Sequence, residues 1–302
     1  MSPDAQAILA SPILATAVVP WTERYEFDEG RFCQQVRIIA TGLTKAIYVF
    51  GTAGEGYAVT DRQYDVICRA FSRVSREAGV APMVGLISLS LGTMVERIER
   101  ARALGFTNFQ ISLPSWGALN DAELARFFAE TCGRFPDCAF HHYNLLRVKR
   151  RLTGADYARL AADHPNFVAV KASSDDAALL ADWLTVSPRL RFFFTEFGYA
   201  IARRTHDAGL LISVASANYA RARAFVSSDD TRREADVVEL QAIVKALLAA
   251  AAERFHMDGG YDKMLFRLID PDFPLRLLPP YESATLEEFE RFRAALPSGW
   301  RR

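Results

Sequence analysis

The sequence predicts an α/β protein: a (β/α)8 TIM barrel with a C-terminal helical appendage. Three observations lead there. Apolar, β-branched runs of strand length alternate with amphipathic stretches of helix length, which implies right-handed βαβ units and a parallel sheet. Eight such units fit into about 220 residues, a number that suits a closed barrel better than an open sheet. No G-x-G-x-x-G or phosphate-binding loop follows any strand, so a doubly wound sheet, the other architecture this alternation permits, lacks its usual ligand signature.

The first strand is expected over 12–19, PILATAVV, followed by a helix over 28–41 that Gly42 stops. The second, 45–50, ends in the run Gly51-Thr52-Ala53-Gly54-Glu55; Thr60 and Asp61 then cap a helix over 61–78, which Gly79 ends. The third strand covers 81–87, and its helix runs through 94–104 to Gly105. A fourth, 107–113, is closed by Pro114, and Asn120-Asp121 opens a helix over 121–134. The fifth strand is 138–144, CAFHHYN, with Thr153 capping a helix over 154–163 that ends at His164-Pro165. The sixth begins at Phe167 and carries Lys171; the run Phe167 to Val170 suits a strand covered on both faces. A helix over 176–185, a strand over 190–196 and a helix over 198–207 follow. The eighth strand, 210–215, and a helix over 217–226 complete the barrel, residues 1–226. Residues 227–302 break the pattern. A long alanine- and leucine-rich helix over 229–255 is interrupted at Asp258-Gly259-Gly260. The segment KMLFRLI reads as helical, 271–281 is proline-rich, and 285–295 is a final amphipathic helix. The apolar content of this region argues for packing on the barrel or on a neighbouring subunit.

Composition narrows the function classes. Lys and Arg number 36, as do Asp and Glu, and a neutral chain gives no support to a nucleic-acid or anionic-membrane partner. Cys33, Cys68, Cys132 and Cys138 form no C-x-x-C pair and no zinc spacing, so they read as reduced thiols of a cytoplasmic protein. The apolar stretch from Ala7 to Trp21 has no positive region ahead of it and is interrupted by Pro12 and Pro20, which suits a first strand better than a signal peptide.

In a barrel of this kind the reactive groups sit at the carboxyl ends of the strands. That rule selects Thr52 and Glu55 after the second strand, Ser112 and Trp116 after the fourth, and Tyr143 and Asn144 on the fifth. It adds Lys171 on the sixth, Thr195 and Glu196 on the seventh and Ser213 on the eighth. Lys171 admits two readings: a strand-end lysine whose ammonium reaches out to water, or an amine made nucleophilic by its apolar setting, since burial disfavours the charged form. A lysine, a phenol and a glycine-flanked threonine at one mouth are the groups a Schiff-base lyase needs. The amine attacks a 2-oxo carbon, the phenol shuttles protons, and backbone N–H groups of the Gly-rich turn hold the carboxylate.

The run Gly51-Thr52-Ala53-Gly54-Glu55, then Tyr143-Asn144, then Lys171-Ala172-Ser173-Ser174 resembles the dihydrodipicolinate synthase / N-acetylneuraminate lyase family. That family carries Gly-Thr-Thr-Gly-Glu, Tyr-Asn-x-Pro and a strand-borne lysine at this spacing. The eighth-strand LLISVASAN is similar to its Ile-Ser-Val-x-x-Asn, with one residue more before Asn218. The resemblance implies that Lys171 forms a Schiff base with pyruvate or another 2-oxo acid and that Tyr143 is the general acid/base. It further implies that Thr52 with the N–H of Ala53, beside Gly54, binds the carboxylate and that Ile212 presents a carbonyl. No cofactor and no metal is implied, and a homo-oligomer, dimer or tetramer, is. Trp116 and Glu196 are added as substrate-binding candidates; Glu196 stands where the family usually has Gly, and it either enters the pocket or only terminates the strand.

Departures from the family pattern shift the expected substrate. Ala53 replaces a second threonine, and Pro114-Ser115-Trp116 replaces Pro-Tyr-Tyr, whose tyrosine relays protons between subunits; an indole donates a hydrogen bond but relays no proton. Leu146 stands at the proline position and Val148 at the arginine that grips the carboxylate of aspartate semialdehyde, with Arg147 or Lys149 as substitutes only if the loop is rebuilt. The Schiff-base machinery is retained and the half that reads aspartate semialdehyde is not. The expected function is therefore aldol cleavage, condensation or dehydration of a different 2-oxo acid. True 4-hydroxy-tetrahydrodipicolinate synthase and a catalytically silent acid-binding barrel are the alternatives. His141 and His142 point to opposite faces of a strand and suit packing better than metal ligation, and a metal-dependent aldolase lacks a convincing ligand set. Glu55 is expected to brace its loop, and Phe192, Phe193 and Phe194 to fill the barrel and helix interfaces.

Overall fold

The computed structural model describes residues 1–145, 147–186, 189–252 and 259–301. In chain order the elements are α1 (Pro3–Ala10), β1 (Ile13–Thr16), α2 (Glu29–Gly42), β2 (Ala46–Val49), α3 (Asp61–Ala78), β3 (Ala81–Gly85), α4 (Leu91–Arg102), β4 (Asn108–Ile111), α5 (Asp121–Phe128), β5 (Ala139–Asn144), α6 (Gly154–Asp163), β6 (Phe167–Ala172), α7 (Ala177–Val186), β7 (Arg191–Phe194), α8 (Glu196–Ala202), β8 (Gly209–Leu211), α9 (Tyr219–Ser227), α10 (Asp230–Ala250), α11 (Gly259–Arg267) and α12 (Leu286–Ala295). The eight strands are all parallel and close in sequence order, β1 through β8 and back to β1. This is the (β/α)8 barrel expected, with helices following it.

Local signals set the helix limits. Thr60 and Gln63 form a reciprocal capping box at the start of α3, and Gly79 ends it in a left-handed conformation (φ 62°). Thr153 with Asp156 and Thr285 with Glu288 open α6 and α12 in the same way. The strands are shorter than their apolar runs, because the chain leaves the ladder at the carboxyl end while staying buried. Thus β7 stops at Phe194, and Thr195 is the N-cap of α8, with Glu196 its first residue. The expected helix over 121–134 is α5 followed by a π-helical turn at Ala129–Gly133. The helix expected over 229–255 is α10, which already ends at Ala250; residues 253–258, Asp258 among them, lie outside the described residues, and Gly259 and Gly260 open α11 where a break was expected. Among the described residues no helix is long and apolar enough to cross a membrane.

Period-two alternation divides the strand residues between two cores. Leu14, Ala46, Tyr48, Ala81, Met83, Ala169, Phe193 and Leu211 face the barrel axis and pack together. Their neighbours Ile13, Ala15, Ile47, Val49, Val170, Phe192 and Phe194 face the helices. Phe194 stacks on Trp183 of α7, ring centroids 6.2 Å apart, while Phe193 points inward. In the C-terminal region, α10 lies against α8, α9 and α12, and α11 against the turn at Val214–Ala217.

Helix α1 was not expected, although Ser2 followed by Pro3 is a helix-start signal. Ser2 caps it, and the Ser2 hydroxyl lies 2.8 Å from Thr107 Oγ1 just ahead of β4. Its Ile8 is fully buried in the axial core, against the first residues of several strands, so α1 closes the amino end of the barrel. Truncating Ile8→Ala is expected to destabilise the fold by about 2–5 kcal/mol, read as a lower midpoint in urea denaturation with an unchanged slope.

Candidate active site

Lys171 shares the axial face of β6 with Ala169 and is opposite Tyr143 of β5 and Phe193 of β7 in the ladder. Only 2% of it is exposed. Its Nζ donates to Gln110 Oε1 at 2.8 Å and sits 3.8 Å from the ring centroid of Tyr48 and 3.9 Å from that of Tyr143. Burial penalises the charged amine, while two aromatic faces and a carbonyl stabilise it. The snorkelling reading therefore does not describe this side chain: the nitrogen is inside the barrel mouth, held on three sides.

The turn after β2 is fitted around that nitrogen. A Cβ on Gly51 would stand 2.6 Å from Tyr48 Cε2 and 3.1 Å from Lys171 Nζ, so only glycine lets the turn approach so closely. Phe50 and Glu55 bracket the turn with positive φ, 63° and 54°, a conformation that costs a non-glycine residue roughly 1–3 kcal/mol. Glu55 holds it in place, as expected of a brace. Its fully buried carboxylate accepts from Trp21 Nε1 (2.8 Å), from Lys263 Nζ of α11 (2.6 Å) and from the Leu278 N–H (2.7 Å). Lys263 is also fully buried; burial pushes its ammonium down, and Glu55 opposes that shift.

A cavity of about 450 Å³ opens above Lys171. Its wall includes Thr52, Ala53, Tyr143, Asn144 and Ile212 from the expected set, with Thr195 and Ser213 at the strand ends. Three expected substrate contacts lie outside that wall. Gly54 is packed against backbone, where a Cβ would sit 2.7 Å from Phe50 N. Trp116 stands 87% exposed on the loop after β4. Glu196 is buried, with one carboxylate oxygen accepting from Ser213 N (2.7 Å) and Ala215 N (3.0 Å). It orders the turn after β8 and lies outside the cavity wall; burial raises its pKa, and those N–H groups counter the rise. Val148, at the family's arginine position, is buried, Arg147 lines the cavity, and Leu146 lies outside the described residues.

Tyr48, Thr16, Arg147 and Asp262 also line the wall, as do Leu145, Ser173 and Leu211. Tyr48 was legible from the alternation of β2, since it lies two residues after the inward Ala46. Gln110 is the middle one of three polar residues, Asn108, Gln110 and Ser112, that alternate with Phe109, Ile111 and Leu113 in NFQISL. Asp262 comes from α11 and no local signal could have placed it. The histidines separate as their strand parity requires. His142 faces outward, with Nδ1 3.0 Å from the Tyr157 hydroxyl, and burial drops its pKa to about 3. His141 faces the axis, and burial together with Lys171 brings it to about 3.

Residues 10–208 match the model of the dihydrodipicolinate synthetase family. A 4-hydroxy-tetrahydrodipicolinate synthase of Exiguobacterium sibiricum is 25% identical over 247 residues, covering 80% of this chain and 82% of the relative. One of Thermus thermophilus is 28% identical over 160 residues, covering 52% of this chain and 53% of that protein. The fold is similar to YagE, a prophage protein of the dihydrodipicolinic acid synthase family from E. coli solved with pyruvate, with TM-score 0.81, 14% identity, and coverage of 95% of this chain and 97% of that one. It is also similar to CdNal of Clostridium difficile, solved with mannosamine, with TM-score 0.77, 17% identity, and coverage of 94% and 97%.

The Glu55–Lys263 pair links this turn to α11. Removing one charge leaves the other buried and unpaired, so Lys263→Met and Glu55→Gln alone are each expected to cost about 3–5 kcal/mol, and the double variant less than the sum of the two. Chemical denaturation of the two single variants and the double variant measures the coupling.

Proposed function

The chain belongs to the dihydrodipicolinate synthetase family, and on that premise we propose that it is a class I lyase acting on pyruvate or another 2-oxo acid through a Schiff base on Lys171. The observation that carries the reading is the buried Lys171 nitrogen at the floor of a polar-walled cavity, beside Tyr143 and the Gly51–Glu55 turn. In this reading the neutral amine adds to the 2-oxo carbon. Tyr143 donates the proton that lets the carbinolamine oxygen leave as water, and afterwards carries protons to and from the carbon framework. Thr52 and the N–H of Ala53 receive the carboxylate, and the Ile212 carbonyl faces the substrate. No cofactor enters these steps.

The cavity is larger than a three-carbon acid requires, and Arg147 and Asp262 add two charged groups to its wall. This supports a longer oxo acid, or a second carbonyl compound joined to or cleaved from the first. The name of the curated relatives favours a second reading, 4-hydroxy-tetrahydrodipicolinate synthase. Against it stand Trp116, where that enzyme has a proton-relaying tyrosine, and the buried Val148, where it has the arginine that grips the carboxylate of aspartate semialdehyde. A homo-oligomer is part of the proposal, supported by the bare indole of Trp116, which suits a face covered by a second copy.

Formation of an enamine exposes the C3 hydrogens of pyruvate to solvent exchange, without any second substrate. The unaltered protein is expected to exchange them for deuterium, followed by proton NMR. Lys171→Ala is expected to abolish the exchange, and Tyr143→Phe to slow it by roughly 10²–10⁴-fold. No exchange with pyruvate or with a panel of longer 2-oxo acids would sink the proposal.

A further inference from the structure

The axial layers of a (β/α)8 barrel are ordinarily filled by branched apolar side chains. Here the part of that filling beneath Lys171 contributed by β4 and β5 is polar, while Ala169 and Phe193 keep the rest apolar. Gln110, on β4, is fully buried and lies opposite His141 of β5 in the ladder. Its Oε1 accepts from Lys171 Nζ at 2.8 Å. Among the described residues its Nε2 has no hydrogen-bond partner, and neither has either ring nitrogen of the buried His141. Polar groups are costly in such a place, so their presence directly under the one nitrogen that the chemistry uses calls for a reason.

We infer that Gln110 is a positioning residue for the Schiff-base reaction, its side-chain carbonyl holding the Lys171 nitrogen as an amine and then accepting the N–H that this nitrogen keeps as an iminium. The inference rests on the reading of Lys171 given above and specifies how that nitrogen is governed. A neutral amine brings two N–H bonds to the reaction. As the carbon–nitrogen bond forms and the carbon–oxygen bond breaks, one of those hydrogens leaves with the oxygen, which takes one further proton and departs as water. The other remains on a positively charged nitrogen. That N–H needs an acceptor on the side away from the substrate, and Gln110 Oε1 is there. The faces of Tyr48 and Tyr143 stabilise the charge but accept no directed hydrogen bond of comparable strength. Because the carbonyl also favours the ammonium over the amine, Gln110 sets the pH at which Lys171 becomes a nucleophile.

Side chains from the other strands surround the same space. Tyr48 comes from β2 and Tyr143 and His141 from β5; Thr16, Phe193 and Leu211 come from β1, β7 and β8. His141 is neutral across the working pH range. Arg147 and Asp262 line the cavity and are common to every variant compared.

The test is the pH profile of reductive labelling by pyruvate and cyanoborohydride, quantified by intact mass, in the unaltered protein, Gln110→Met and Gln110→Glu. Methionine keeps the length and removes the carbonyl. Its labelling midpoint is expected to fall by about one pH unit, and its plateau rate by about tenfold. Glutamate places a carboxylate on the nitrogen, and its midpoint is expected to rise by one unit or more. A merely structural glutamine would lower the melting temperature in both variants and move neither midpoint, and that result overturns the inference. Should one variant fail to fold, the other decides alone by the presence or absence of its shift. An unaltered protein that is not labelled at all is a distinct result, which removes the Schiff-base reading and this inference together.

Discussion

Keeping a primary amine inside the mouth of an apolar barrel is the constraint around which this molecule is arranged. Lys171 is carried on a strand whose neighbours are Phe167, Ala169 and Val170, and its nitrogen is withdrawn from water. A bare ammonium there would be expensive, and a bare amine would be free to rotate. The two tyrosine rings and the Gln110 carbonyl resolve both problems, stabilising the charge when it is present and fixing the direction of the nitrogen when it is absent. Gly51 follows from the same constraint, because any side chain there would collide with Tyr48 and press on the nitrogen.

The second buried cation does a different task. Lys263 brings α11 to the carboxylate of Glu55, and that carboxylate also gathers the indole of Trp21 and the backbone at Leu278. Segments far apart in sequence thus converge on the residue that ends the turn after β2. The turn keeps two left-handed residues, Phe50 and Glu55, because these contacts over-determine it. The C-terminal helices therefore contribute to the candidate site twice, through this brace and through Asp262 in the cavity wall. Glu196 performs a smaller version of the same work two strands away around the barrel, ordering the turn after β8.

What the sequence made legible follows the range of the forces involved. Alternating strand and helix patterns are local, and so are caps; α3 and α6 begin and end at the residues their capping signals indicate. The rule that chemistry sits at strand ends brought out Thr52, Tyr143 and Lys171, and all three meet at one cavity. The same rule overreached at Glu196, since the chain had already turned into α8 and the carboxylate found backbone N–H groups. Trp116 lies outside the cavity wall of its own chain, 87% exposed on the loop after β4. Tyr48 and Gln110 were passed over because they lie one step down inside the barrel, where side chains are usually filler, yet strand parity alone would have aimed both at Lys171. Asp262 and Lys263 reach the site only through tertiary packing, and nothing in their neighbourhood announces it.

The central claim is that the Lys171 nitrogen is the group that reacts. The most direct measurement is peptide mass mapping of the protein after borohydride reduction in the presence of pyruvate. The account predicts a single adduct of the reduced pyruvyl group, carried by the peptide that contains Lys171 and absent from Lys171→Ala. An adduct on Lys263 or on a surface lysine, with Lys171 unmodified, would contradict it.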